Sequence, residues 1–152
     1  MNVVKFLEDH HVPHQRLPHR PAYTAQAVAQ ALHTSGDCVA KTVLLRIGEA
    51  HVVAVVPATH VIELPKVKQA IGASSASLAR EEECGEHFPD CELGAMPPFG
   101  SQYGMRTLVG RALLRADEIV IEGNSHDQAV GIRRDHYMTL EDPQVAEFSH
   151  HV

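Results

Sequence analysis

The chain is poor in cysteine, in basic charge and in long apolar runs, and each shortage removes a class of protein. Its three cysteines, Cys38, Cys84 and Cys91, are an odd number and give no disulfide framework; a reducing compartment fits. No apolar run approaches the roughly 18 residues that a membrane helix needs. The N-terminal stretch MNVVKFLEDHHVPH places acids and histidines where a signal peptide would need an apolar segment and a cleavage site. A soluble, cytoplasmic protein with no membrane partner is the expectation. The net charge of −6 excludes a generally basic nucleic-acid coat. Any RNA contact must be local, through Arg46, Lys66, Lys68 or the Arg133-Arg134 pair. Repeats, low-complexity tracts and interdomain linkers are all missing. Residues 1–152 are therefore expected to form one domain, long enough to bury a core without staples.

What is present is a central run of strands flanked by helices. Apolar spacing predicts a helix over Val3–His11, stopped by Pro13, and a short strand over His14–Leu17. Thr24 offers a cap for the helix AQAVAQALHT. Val39–Ile47 and His51–Val56, joined by Gly48-Glu49, carry a hairpin signal. HVVAVVP lacks polar alternation and reads as a strand covered on both faces. Glu63–Ile71 is a helix with Pro65 in its first turn and Gly72 at its end. Ser77 is read as the cap of a short helix, LAREEECG. Residues 87–105 read as loop. Thr107–Val109, Glu118–Glu122 and Gln128–Ile132 are strands, and a last helix is expected from Met138 with Thr139 as cap. The fold class is α+β, with a mixed, largely antiparallel central sheet flanked by helices.

The strand CVAKTVLL holds one charge, Lys41. Strand alternation puts Lys41 on the face of Val39, Val43, Leu45 and Ile47, and Ala40, Thr42, Leu44 and Arg46 on the other. An unpaired ammonium on an apolar face costs several kcal/mol, so it must find an acceptor, reach water or deprotonate. Two readings are open: snorkelling to solvent, or an amine at the floor or rim of a cleft, holding a carbonyl or phosphate oxygen. Further on, GAMPPFG pairs two prolines of fixed φ, Pro97 and Pro98, with two glycines, Gly94 and Gly100. The result is a stiff loop whose backbone groups can point into a cavity, with Phe99 available as a wall; a plain surface turn is the alternative.

AKTVLL followed by a valine-rich strand, then GAMPPFG, then EIVIEGNSHDQAVGI, together resemble the YbaK/prolyl-tRNA-synthetase-associated domain family. The resemblance runs from about Thr24 to Phe148. It implies that family's fold and trans-editing, the hydrolysis of the ester between a wrong amino acid and its tRNA. Lys41 matches the family's strand lysine. Gly94, Pro97, Pro98, Phe99 and Gly100 match its loop, and Gly123, Asn124, Ser125 and His126 partly match its pocket-lining turn. The residue after the lysine is Thr42, where members that clear alanine from proline tRNA tend to carry asparagine.

On this reading Lys41 and His126 are the catalytic candidates. Lys41 would meet the developing oxyanion or fix the terminal ribose and phosphate, helped by backbone amides of Phe99 to Ser101. His126 would orient water or accept a proton. Thr42, Val43, Leu45, Met96, Phe99 and Ser101, with Gly123 and Ser125, are candidates to bind the substrate, and Met96, Phe99, Val43 and Leu45 to set pocket size. No nucleophile is legible, since Ser101 lacks a recognisable base or elbow; the resemblance implies a route without a covalent enzyme intermediate. Cys38 is expected to be a core thiol. No cofactor or metal is expected: Cys84, His87 and Cys91 give C-x2-H-x3-C, which matches no strong zinc pattern. The partners implied are the acceptor end of an aminoacyl-tRNA and, less directly, an aminoacyl-tRNA synthetase or an elongation factor. A non-catalytic tRNA- or synthetase-binding module is the rival reading.

Overall fold

The computed structural model describes all residues from Met1 to Val152. Its helices are α1 (Val3–Asp9), α2 (Ala25–Ala31), α3 (Leu64–Ile71), α4 (Glu81–His87) and α5 (Arg134–Glu141). Its strands are β1 (His14–Pro18), β2 (Ala40–Ile47), β3 (Ala50–Pro57), β4 (His60–Ile62), β5 (Ser77–Leu78), β6 (Arg106–Gly110), β7 (Glu118–Glu122), β8 (Gln128–Arg133), β9 (Gln144–Ala146) and β10 (Ser149–His151). No helix is long and apolar enough to cross a membrane.

The valine-rich hairpin is the centre of the molecule. β2 and β3 pair antiparallel from Ala40↔Pro57 to Ile47↔Ala50, turning at Gly48, whose φ of 62° suits a residue without Cβ. β5 extends this sheet beyond β2, and β6 and β9 extend it beyond β3 in parallel, giving the order β5-β2-β3-β6-β9. A second, antiparallel sheet has the order β1-β8-β7, and β10 pairs with β4. The mixed α+β architecture agrees with the sequence reading.

Alternation then sorts the side chains. From the five-stranded sheet, Ala40, Leu44, Val53, Val55 and Val109 face Ile119, Ile121, Val130 and Ile132 of the second sheet, with Val3 and Leu7 of α1 and Tyr137 of α5 closing that core. The other face sends Leu45, Val52, Ala54, Val56 and Leu108 against Val67 of α3 and Phe148. Hence β3 is buried on both sides, as its unbroken apolar run predicts. A third, smaller cluster joins Val28 and Ala29 of α2 to Val39 and Ala129.

Two helices depart from expectation. Ser77 and Leu78 form β5 instead of capping a helix, and α4 starts at Glu81. Three acids, Glu81, Glu82 and Glu83, suit the positive end of a helix, and the Glu83 carboxylate accepts from the Arg80 amide at 2.6 Å. The last helix, expected to begin at Met138 with Thr139 as cap, instead begins at Arg134, holds Thr139 in its interior and ends at Glu141, because Pro143 follows Asp142, which turns left-handed with φ 48°. The chain beyond it pairs as β9 and β10. Both of these strands, like β4, are three residues long, too short for a periodic signal.

Candidate functional site

Lys41 and Glu122 lie just beyond the point where two strands meet. A single parallel bridge joins Val39 to Val120. Beyond it the strands pair with different partners, β2 with β3 and β7 with β8. Residues opposite each other in a parallel pair share a face, and alternation carries that face two residues on. Val39 and Val120 both pack against the α2 cluster, while Ala40 and Ile121 both enter the main core. Lys41 and Glu122 therefore project on one side of the opening, just past the apolar contact that α2 seals.

Lys41 is half-buried and its Nζ donates to the His60 carbonyl. Burial lowers its pKa below the ordinary lysine value. No carboxylate lies within ion-pair range of it. The amine is thus neither free in water nor neutralised. It is held by one neutral acceptor and retains capacity for two more hydrogen bonds. His60 itself is fixed from the other side, its Nδ1 2.9 Å from Ser149 Oγ of β10.

The turn after β7 is braced from three directions. Asn124, at φ 78°, accepts from the Val3 amide at 2.9 Å through Oδ1 and donates through Nδ2 to the Met1 carbonyl at 2.7 Å. Its own carbonyl accepts from the Glu92 amide. Ser125 Oγ donates to Asp127 within the turn at 2.8 Å. His126 is half-buried: its Nε2 lies 3.7 Å from a Glu92 oxygen, and the Tyr23 ring rests on it with centroids 4.7 Å apart. The amide of Ala22 donates to the His126 carbonyl. Gly94, at φ 89°, comes so near that a Cβ there would sit 3.5 Å from His126 Cε1. His126 and the start of the 94–100 loop are therefore neighbours, as the sequence reading required of a shared site.

The rest of that loop does something else. Ala95 to Gly100 are buried. Phe99 is 0% exposed and stacks edge-on to Phe6 and against Tyr137, so it is core and not a pocket wall. Tyr137 donates its hydroxyl to the Pro98 carbonyl at 2.7 Å. The Gly100 amide goes to Thr107 Oγ1, where a Cβ on Gly100 would clash at 2.7 Å. The Ser101 amide and hydroxyl both go to the buried Glu141 carboxylate. The Gly100 and Ser101 amides expected to face an oxyanion are consumed inside the fold. Met96 and Leu45 are likewise core, Val43 packs beside Leu45, and Thr42 is half-buried with its hydroxyl unbonded.

A cavity of about 620 Å³ has His60 in its lining. Cys38, Lys66, Arg115, Ser149 and His151 help to line it; Lys41, the 94–100 loop and His126 do not. Cys38, expected in the core, sits half-exposed in a one-turn helix on its rim. Arg46, expected to be free for RNA, pairs with Glu83, whose carboxyl is held down at about 2 chiefly by the Arg80 amide. Lys66 pairs with Glu63 at 3.1 Å. No three His, Cys, Asp or Glu side chains are grouped to hold a metal ion. Cys91 contacts Tyr103 and Asn124, whereas His87 stacks on His51.

The profile of the aminoacyl-tRNA editing domain matches residues 19–140. The chain belongs to that family. The editing domain is 29% identical over 99 residues to the multifunctional Ser/Thr-tRNA deacylase ProXp-y of Escherichia coli K12 and to its counterpart in E. coli O157:H7. Each match covers 64% of this chain and 59% of the relative's own length. Two solved structures share the fold. The hypothetical protein APE2540 superposes with a TM-score of 0.89 at 19% identity, covering 97% of this chain and 99% of its own. A candidate trans-editing enzyme for prolyl tRNA synthetase superposes at 0.83 with 21% identity, covering 97% and 94%.

Within the editing domain, the residues that sequence reasoning missed are Tyr23, Glu92 and Glu122. Glu122 ends a strand whose Ile119 and Ile121 point inward, and alternation alone assigns it to solvent. It is instead 6% exposed with no hydrogen bond at Oε2, and burial pushes its pKa from 4.5 up to about 8. Below pH 4.5 folded and unfolded chains are both protonated here. Between 4.5 and about 8 only the unfolded chain ionises, so stability falls as pH rises through that window. At 1.36 kcal/mol per unit the ceiling is about 5 kcal/mol. Glu122→Gln removes this titration. Its melting temperature relative to wild type should climb from pH 5 to pH 8; a difference that stays flat across that range contradicts the assignment.

Proposed function

We propose that the protein is an aminoacyl-tRNA deacylase that hydrolyses the ester of a small, mischarged amino acid on tRNA. The observation that supports this reading best is Lys41: a half-buried amine with no carboxylate partner, two residues beyond the bridge that joins Val39 to Val120 of β7. As water attacks the ester carbonyl, negative charge develops on its oxygen. A poorly solvated ammonium meets that charge more strongly than one in water. His126, which neighbours Gly94 and Tyr23, is the residue proposed to orient the water or take its proton. Attack by water with no acyl-enzyme is the route proposed. The acceptor end of the tRNA is the part held. Seryl and threonyl esters are the first to test, because the E. coli relative is named a Ser/Thr-tRNA deacylase.

The decisive experiment incubates the protein with tRNAs charged with serine, threonine, alanine or cysteine and follows loss of the ester. At least one should be cleared far above the buffer rate. Hydrolysis at the buffer rate on all four would leave a binding module of the same fold.

A further inference from the structure

We infer that Glu122 is a substrate-binding residue that receives the α-ammonium of the aminoacyl ester, and so fixes which way round the ester lies at the β2–β7 opening. This rests on the deacylase reading and deepens it. Glu122 is one of few acids buried in the protein, and its situation differs from the others. Glu83 is met by Arg80, Arg46 and His51. Glu141 is met by Ser101 and Thr107. The Glu122 carboxyl has no ion pair, and its buried Oε2 finds no hydrogen-bond partner. A buried polar atom left unsatisfied in a native fold calls for a partner from outside.

Position supplies the rest. The Val39–Val120 bridge puts Glu122 and Lys41 on one face, two residues beyond the point where the strands meet. Lys41 is engaged by the His60 carbonyl and forms no ion pair with Glu122. Past the bridge one strand therefore carries an amine and the other a carboxyl, with no ion pair between them. An aminoacyl ester carries the complementary arrangement: a carbonyl oxygen that turns negative in the transition state and, on the carbon next to the carbonyl, an amine that is positive when protonated. With the amine at Glu122 the carbonyl oxygen falls toward Lys41. In the empty protein burial favours the protonated carboxyl; a docked ammonium favours the carboxylate, and the proton leaves to solvent. Such a pair, desolvated on both sides, separates free amino esters from blocked ones.

The test compares a free aminoacyl-tRNA with the same ester N-acetylated, for wild type, Glu122→Gln and Glu122→Asp. Wild type should favour the free amine by tenfold or more in kcat/KM. Glu122→Gln should lose that preference through a raised KM on the free ester, and Glu122→Asp should restore part of it. Since Glu122→Gln removes a buried titration, its melting temperature should match or exceed wild type, which separates lost binding from lost folding. A second measurement avoids turnover: calorimetric binding of 3′-seryl- or 3′-alanylamino-3′-deoxyadenosine, with the amine free or acetylated. If Glu122→Gln keeps the wild-type ratio in either measurement, the inference is wrong while the deacylase reading stands. If wild type clears neither ester, the deacylase reading fails and the inference falls with it.

Discussion

Lys41→Ala should lower the hydrolysis of a mischarged tRNA about 100-fold or more while moving the melting temperature by only a few degrees. Loss of one preorganised group facing a developing oxyanion costs about 10²–10³ in rate. The Gly100 and Ser101 amides already donate to Thr107 and Glu141, so they offer no substitute. The stability side is mild because two changes oppose each other. The variant leaves the His60 carbonyl without its donor, worth about 1–3 kcal/mol at most. It also removes an amine that burial disfavours as a cation. Single-turnover hydrolysis beside thermal denaturation separates the two effects. A variant within about threefold of wild-type rate would remove Lys41 from the chemistry.

Phe99→Ala should behave in the opposite manner. Phe99 is fully buried between Phe6 and Tyr137, and a cavity left there costs about 3–5 kcal/mol. At roughly 2–4 °C per kcal/mol for a chain of this size, the melting temperature should drop by about 10 °C. The folded fraction should keep its substrate preference, since the ring faces the core. Denaturant titration measures the first quantity. Comparing rates on two mischarged tRNAs, each normalised to folded protein, measures the second. A large change in that preference with little loss of stability would return Phe99 to a pocket wall.

The contrast between these residues shows what the sequence could disclose. Lys41 stood out because a charge in an apolar strand has few inexpensive explanations, and the structure gives it one acceptor and partial burial. The central hairpin was legible for the same reason: an unbroken valine run can only be covered on both faces. The 94–100 loop was legible as stiff, but stiffness says nothing about direction. Its prolines and Phe99 turn inward, and only Gly94 reaches His126. Glu122 was illegible because strand parity predicts an outward carboxyl, and only the pairing of β7 with β2 through Val39 and Val120 turns that side of the strand into an interior. Asn124 was legible only as a turn residue; its four partners, Met1, Val3, Cys91 and Glu92, lie far away along the chain. Local pattern fixes which way a side chain points relative to its own strand; what lies there depends on segments that meet only after folding.

The bond between Lys41 and the His60 carbonyl has one more consequence. His60 belongs to β4, whose sheet partner is β10, at residues 149–151. Short edge pairings are where native proteins first come apart, well below the free energy of global unfolding. Each fraying event at β10 would slacken the grip on the lysine without disturbing the core. Catalytic competence would then fade on warming before the bulk of the molecule melts, and the final strand would act as its thermal fuse.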